Sequence, residues 1–173
     1  MNMTKALLIS VVCSILSYKA VSQFVYHGDK QYPSTNMWQF VPKEGGWERL
    51  SVSVAKGETV QYLFLAYKVA FTEIERIGGS VFIILQDGKT VTLTTKIATD
   101  AVDGESQVLY SISKQQIALL EASDIATIRF NIKSEVYGRA KSLTAHNYGE
   151  SGYQTDYHRD SYNTAADIAA LMN

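Results

Sequence analysis

The residues best suited to chemistry lie together near the C-terminus, in the pentapeptide Asp156-Tyr157-His158-Arg159-Asp160. In an extended segment, residues two apart share a face, so Asp156, His158 and Asp160 would point the same way. Two carboxylates and an imidazole supply oxygen and nitrogen ligands of the kind that suit Zn²⁺ or Mn²⁺. These three residues are therefore a candidate metal site. The alternative is a solvated polar loop in which Asp160 pairs with Arg159 or caps a turn.

A hydrolase built on this cluster is the alternative functional interpretation. A serine hydrolase needs a serine, a histidine and an orienting carboxylate within reach of one another. Ser151, His158 and Asp156 supply the residue types, but the sequence contains no G-x-S-x-G elbow to expose such a serine. The sequence therefore identifies no catalytic residue. A metal-assisted or carboxylate-dependent hydrolase that uses residues 156–160 stays the second hypothesis.

Tyrosines recur through the same C-terminal region. The chain has 11 tyrosines, and those within residues 146–162 are Tyr148, Tyr153, Tyr157 and Tyr162. An aromatic ring with a polar tip suits contact with a carbohydrate or a protein. We interpret these tyrosines as a candidate ligand surface, because long loops often carry function. The alternative is that the rings only cover the sheet.

The first 22 residues have the organisation of a secretory signal peptide. Lys5 precedes an apolar run over residues 6–16, and small residues occupy the first and third positions of residues 20–22. The run is too short to span a bilayer, which takes about 20 residues. We predict that residues 1–22 are removed on export, and that the mature chain has no membrane span and is secreted, periplasmic or envelope-associated. Cys13 is the only cysteine, so the mature chain should contain no disulfide.

Composition limits the class of protein. A hydrophobic content of 46% with 19% charged residues predicts a folded globular chain. A formal net charge of −1 gives no electrostatic basis for a nucleic-acid partner. Residues 23–173 are long enough for one core and are predicted to form a single domain. We expect a protein or carbohydrate ligand, no nucleic acid and no resident cofactor.

Alternating hydrophobicity predicts a sheet. Residues 47–54 alternate apolar and polar side chains, as a half-buried strand does. The clearest signal lies in residues 80–94, where two alternating stretches flank Asp87-Gly88, a pair that favours a two-residue type I′ hairpin turn. Residues 107–112 and 125–132 are predicted as further strands.

The remaining segments complete a mainly-β (α+β) prediction, a single antiparallel sheet or sandwich. Capping and periodicity predict a short helix near residues 114–122 and a C-terminal helix near 164–172. Residues 59–77 fit either a helix or a strand, and their β-branched and aromatic content favours the strand. Residues 23–36 are predicted as an irregular leader, and residues 133–162 as a long tyrosine-rich loop segment.

The order of these elements resembles small exported domains of unknown function from Gram-negative envelopes. The resemblance rests on the Asp87-Gly88 hairpin, on Tyr110-x-Ile112-Ser113 before a short helix, and on Ile128-Arg129 in the next strand. It covers residues 59–132 and implies a β-rich fold with helices at its ends, without any catalytic or binding residue. We therefore expect an exported, non-enzymatic binding or envelope-structural domain.

Overall fold

The computed structural model describes residues 23–43, 48–69, 75–102, 104–134, 137–148 and 161–173. Strands predominate in these ranges, and two helices accompany them. The strands are β1 (Gln23–His27), β2 (Lys30–Ser34), β3 (Trp38–Pro42), β4 (Leu50–Lys56), β5 (Gln61–Lys68), β6 (Glu75–Leu85), β7 (Thr90–Leu93), β8 (Lys96–Val102), β9 (Glu105–Ile112), β10 (Ile125–Ser134) and β11 (Ala140–His146). The helices are α1 (Lys114–Ala122) and α2 (Thr164–Met172).

The strands form one antiparallel sheet. Their order is β7-β6-β10-β11-β3-β4-β5-β9-β8, and the β1–β2 hairpin branches from β4. The predicted mainly-β fold class is confirmed as an open antiparallel sheet with two helices. The sheet curls, so that its two halves face each other as in a β-sandwich, and β6 contacts β9 although they are distant in the strand order.

The hydrophobic core lies between the two halves of the curled sheet. Side chains alternate along each strand, so one face of every central strand points into this space. The largest fully buried side chains are Trp38, Tyr110, Phe40, Phe130, Leu50, Leu63, Leu65, Ile77, Ile83, Leu85, Leu93 and Ile112. The indole Nε1 of Trp38 donates a hydrogen bond to Asp167 Oδ2 at 2.9 Å, which anchors α2 to the core.

Side chains of β9 close the curled sheet against β6. The β6–β10 register shifts beside Gly79, whose φ is +77°. There the Tyr110 hydroxyl donates to the carbonyl oxygen of Gly79 at 2.7 Å, and the N–H of Ile77 donates to Ser106 Oγ at 2.9 Å. In the described ladder β7 pairs with β6 only over residues 81–84. Tyr110 and Ser106 therefore bind backbone groups of β6 that lie beyond the reach of β7.

The predicted Asp-Gly hairpin between β6 and β7 is present, but its loop is longer than predicted. The N–H of Leu85 donates to the carbonyl of Lys89 at 2.9 Å, and Gly88 N–H donates to the carbonyl of Leu85 at 3.0 Å. Residues between Leu85 and Lys89 thus make a three-residue loop, with Gly88 at φ +85°. The type I′ prediction was wrong because Gln86 leaves the ladder and donates its N–H to the carbonyl of Asp124 at 2.9 Å.

The prediction of an irregular leader at residues 23–36 was wrong. This segment contains the β1–β2 hairpin, which covers the outer face of β4, β5 and β9. Val25 is buried there, and the ring of Tyr32 lies 5.0 Å from that of Tyr62. Val25 is the only buried residue of β1. One inward side chain gives no sustained alternation, so sequence periodicity could not reveal the strand.

The prediction of a loop segment over residues 133–162 was wrong for the part that forms β11. This strand pairs with β10 from Ala140 to His146 and buries Leu143 and Ala145. Two buried side chains in a short strand leave a weak periodic signal. Residues 149–160 lie outside the described residues.

The sequence fitted either a helix or a strand over residues 59–77. In the structure, residues 61–68 form β5 and residues 75–77 belong to β6. β5 pairs with β4 on one side and β9 on the other, and its residues Leu63 and Leu65 are fully buried. The strand interpretation is therefore confirmed for β5. Residues 70–74 lie outside the described residues, and β6 begins directly after them.

The two predicted helices are confirmed, and both lie at the same end of the sheet as the β6–β7 turn. Ser113 and Gln116 form the capping box that begins α1. Asp124 Oδ1 accepts from the N–H of Ala165 at 2.8 Å, and Lys56 Nζ donates to the carbonyl of Met172 at 2.8 Å, so α2 is held at both ends. Across the described ranges, neither helix reaches the length and apolarity needed to cross a membrane.

The burial of Tyr110 predicts a specific loss of stability at high pH. Desolvation raises the pKa of Tyr110 to about 12, from an ordinary value of 10.0. As the pH rises, the unfolded chain therefore loses the Tyr110 proton before the folded chain does. The contribution of this hydroxyl to the free energy of unfolding is intact below about pH 10. The free energy of unfolding should fall by roughly 2–3 kcal/mol as pH rises from about 10 to about 12.

Denaturant unfolding of Tyr110→Phe across this pH range checks the assignment. The variant should lack this part of the pH dependence, and at neutral pH it should lose about 1 kcal/mol with the hydrogen bond. Tyr26→Phe is the matched control, because Tyr26 is 66% exposed. An unchanged pH profile in Tyr110→Phe would contradict the role given to this hydroxyl.

Candidate binding cleft

A cleft of about 460 Å³ opens where the first residues of β5 and α1 meet the connection between β7 and β8. Besides Tyr62, its lining is rich in hydroxyl side chains: Thr59, Thr92, Thr94, Thr95, Ser111 and Ser113. Gln61 and Gln116 add amide groups. The cleft therefore presents many polar groups together with apolar side chains, which include Val60, Leu93 and Ile112.

Hydrogen bonds from two sides fix the walls of the cleft. Ser111 N–H donates to the carbonyl of Thr95 at 3.0 Å, which extends the β8–β9 pairing to the connection after β7. Gln116 Nε2 donates to the carbonyl of Thr92 at 2.8 Å, while the Oε1 of the same side chain accepts from Ser113 N–H at 2.8 Å. A single glutamine therefore caps α1 and ties it to the edge of β7.

Tyr62 and Ile97 contribute to the apolar part of the lining. The Tyr62 ring is held against Tyr32, with 5.0 Å between ring centroids and 56° between ring planes. Burial and then the neighbouring Tyr32 raise the pKa of Tyr62. Ile97 is 44% exposed. The cleft thus combines a positioned aromatic ring with an exposed aliphatic side chain.

The ionisable groups of the cleft do not include the partners that hydrolysis requires. Among its lining residues only Lys114 and Tyr62 ionise, and the lining contains no carboxylate, imidazole or thiol. General acid–base catalysis needs a group that can donate or accept a proton near neutral pH. The cleft can therefore exchange hydrogen bonds, make apolar contacts and present one cation, which are the properties of a binding site.

The structure describes two of the four predicted ligand-surface tyrosines, and they differ in exposure. Tyr148 is 42% exposed, and its ring stacks on His146 at 5.4 Å, at the end of β11. Tyr162 is half-buried, and its ring lies parallel to that of Phe40 at 6.4 Å, against the core. Neither residue lines the cleft. The other two, Tyr153 and Tyr157, lie outside the described residues.

Asn147 explains why Tyr162 occupies this position. Its side chain is 4% exposed, and its Oδ1 accepts from the N–H of Tyr162 at 2.9 Å. Its Nδ2 donates to the carbonyl of Tyr162 at 2.9 Å and to that of Ile125 at 2.7 Å. The backbone at Tyr162 is therefore fixed beside the first residue of β10, and this tyrosine has a packing role.

The candidate metal ligands Asp156, His158 and Asp160 lie outside the described residues. Within the part of the chain that is described, no group of three or more His, Cys, Asp or Glu residues could hold a metal ion. His146 Nδ1 lies 3.2 Å from Thr127 Oγ1, so its described contact is with a hydroxyl.

Sequence analysis missed the cleft because its lining comes from separate stretches of the chain. The lining residues fall within 59–62, 92–97 and 111–116, and no motif connects them. The available signal was the series of threonines from Thr90 to Thr95, a pattern typical of any exposed strand face. Strand pairing brings these stretches together, because β9 lies between β5 and β8.

Gly57 leaves the space that Tyr62 occupies, so its substitution should disturb the cleft. A Cβ at position 57 would overlap the Val60 carbonyl oxygen and come within 2.8 Å of Tyr62 Cε2. Gly57→Ala should lower the free energy of unfolding by about 1–3 kcal/mol and displace the Tyr62 ring. Denaturant unfolding and the aromatic NMR spectrum measure the two effects. Glu58→Ala, at the adjacent exposed position, is the control, and equal stability of the two variants would disprove the close contact.

Comparisons with known proteins identify no relative of this chain. No family model matches the sequence, and neither a curated protein nor a solved structure matches it.

Proposed function

We propose that this chain is an exported, non-enzymatic binding module, and that the cleft beside α1 binds a neutral carbohydrate. The observation that carries the proposal is the cleft lining, in which hydroxyl and amide groups surround an aromatic ring without any carboxylate, imidazole or thiol. Binding sites of this kind use a few placed polar groups for orientation and apolar surface for contact. Export rests on the signal peptide predicted at residues 1–22.

The polar groups of the lining match the hydrogen-bonding pattern of a sugar. Each threonine hydroxyl donates one hydrogen bond and can accept two. Thr59, Thr92, Thr94 and Thr95 are exposed, so they are accessible from the cleft opening. A sugar hydroxyl likewise donates and accepts, which makes a row of such side chains complementary to it.

The absence of lining carboxylates favours binding over hydrolysis. Glycoside hydrolysis ordinarily needs a pair of carboxyl groups on either side of the scissile bond. The described lining provides none. The alternative of a metal-assisted or carboxylate-dependent hydrolase centred on Asp156, His158 and Asp160 has no supporting observation among the described residues.

An array of neutral and acidic oligosaccharides tests the ligand class. The wild-type chain should bind neutral members of the array, and Thr94→Val should weaken that binding by about threefold to tenfold, as expected for one lost hydrogen bond. Thr90→Val is the matched control, because Thr90 is also exposed but does not line the cleft. Failure to bind any neutral oligosaccharide, or equal weakening by the control, would contradict the proposal.

Export is tested on the native product by mass spectrometry. The mature chain should begin at Gln23. A native product that retains residues 1–22 would contradict the exported part of the proposal.

A further inference from the structure

Backbone pairing joins the β1–β2 hairpin to the rest of the sheet at one end only. Within the described residues, β1 pairs with β2 alone, and β2 pairs with β4 at a single position, Ser34 opposite Ala55. Next to that position, Thr35 N–H donates to the Val54 carbonyl at 2.9 Å, and Thr35 Oγ1 accepts from Val54 N–H at 3.1 Å. By contrast, β4 pairs with β5 at every position from Leu50 to Lys56. The remainder of the hairpin is therefore held by side chains.

The side chains that hold the hairpin form a small apolar group, which we call the hairpin cluster. Its buried residues are Val25 of β1, Ala55 of β4 and Leu109 of β9. Phe24 and Tyr26, the neighbours of Val25 on β1, are 44% and 66% exposed. A two-stranded hairpin is marginally stable at best by itself in water, so its closed position depends on this cluster. Partly buried side chains complete the cluster, namely Tyr32, Tyr62, Phe64 and Ala98.

The turn of the hairpin does not pack tightly against the sheet. A space of about 80 Å³ lies between the turn and strands β5, β8 and β9. His27 and Gly28 line it from the hairpin, and Phe64, Asp100 and Leu109 are among the residues that line it from the sheet. Side chains that border a gap lose dispersion contacts on that side. The turn therefore adds little to the attachment of the hairpin.

A buried hydroxyl beneath the hairpin lacks a hydrogen-bond partner. Ser53 lies on the same side of β4 as Ala55 and pairs with Phe64 of β5, so it belongs to the face that the hairpin covers. Its side chain is 0% exposed, and its Oγ forms no hydrogen bond within the described structure. Burial of a hydroxyl without a partner is unfavourable, because hydrogen bonds to water are lost. Water that reaches Ser53 when the hairpin lifts would restore them, so this hydroxyl favours the open position.

Tyr62 connects the hairpin to the cleft. Its side chain belongs to the hairpin cluster, with its ring 5.0 Å from that of Tyr32 on β2, and the same residue lines the cleft. When the hairpin lifts, Tyr32 leaves Tyr62 and one side of this ring becomes exposed. The position of the hairpin therefore affects the aromatic part of the cleft lining.

We infer that the β1–β2 hairpin is a flap, which opens as one unit while the rest of the sheet stays folded, and that its closed position holds Tyr62 for binding in the cleft. Residues 35–37 connect the hairpin to β3 and form the hinge. A ligand that binds the closed form better than the open form favours closure, and closure strengthens its binding by the same factor. This regulation rests on the function proposed for the cleft, whereas the opening of the flap does not.

Amide hydrogen exchange of the chain without ligand tests the opening of the flap. Protected amides of residues 24–34 should exchange at least tenfold faster than those of the β4–β5 ladder, because their exchange does not need global unfolding. Ser53→Ala removes the hydroxyl that lacks a partner and should slow exchange in the hairpin by about tenfold. Ser51→Ala is the matched control and should not slow it, because Ser51 Oγ is hydrogen-bonded to the Gln39 side chain.

Val25→Asp should hold the flap open. Closure would bury a carboxylate in the hairpin cluster, whose residues include no cation, and this is strongly unfavourable. We expect the hairpin amides to lose protection and the β4–β5 ladder to keep it. The ring resonances of Tyr62 should shift as Tyr32 leaves. Tyr26→Asp is the matched control, because Tyr26 is largely exposed, and it should leave hairpin protection unchanged.

Four results would overturn the flap. They are equal exchange rates in the hairpin and the β4–β5 ladder, unchanged hairpin exchange in Ser53→Ala, loss of ladder protection in Val25→Asp, and unchanged Tyr62 ring resonances in Val25→Asp.

The regulation of the cleft is measured separately, with the neutral oligosaccharides of the array. Val25→Asp should weaken their binding by about tenfold or more, because the apparent affinity falls with the fraction of closed molecules. Equal binding by Val25→Asp and the wild type would overturn the regulation. Failure of the wild type to bind any of them would contradict the function proposed for the cleft, and the exchange results would still decide whether the flap opens.

Discussion

The two hydrogen bonds that join β9 and β6 across the core are the constraint on which the rest of the structure depends. Buried backbone groups need hydrogen-bond partners, and β7 pairs with β6 only over residues 81–84 in the described ladder. Tyr110 and Ser106 bind the carbonyl of Gly79 and the N–H of Ile77 from across the core. The sheet must curl until the inner face of β9 reaches β6. Side chains thereby join two strands between which the described residues form no ladder.

This closure leaves the cleft at one end of the sheet. Among the described residues, the space between the two halves is filled by apolar side chains from both. The cleft forms at one end, where the chain passes from β7 to β8 through Thr94 and Thr95.

The sequence predicted the parts of the fold whose signals are local. Alternation identified β4, the hairpin partners β6 and β7, and β10, and the capping box of Ser113 and Gln116 identified α1. It could not identify β1 or β11, because each buries too few side chains to show a period. The turn after β6 was mispredicted because the partner of Gln86, the carbonyl of Asp124, is distant in the sequence.

The candidate sites were less predictable than the fold, for a related reason. Tyr162 was chosen as a ligand residue by its type, but Phe40 and Asn147, both contributed by other segments, give it a packing role. The cleft depends on strand register, which places residues from separate strands side by side. The pattern of residue types along the sequence does not contain the register.

Amide hydrogen exchange at Ile77 is the most direct test of closure by side chains. Its N–H donates to Ser106 Oγ at 2.9 Å, from the unpaired edge of β6. We expect this amide to exchange as slowly as those in the β6–β10 ladder, and to exchange faster in Ser106→Ala while the ladder stays protected. Exchange of Ile77 in the wild-type chain at the rate of an unstructured amide would contradict closure of the sheet by β9.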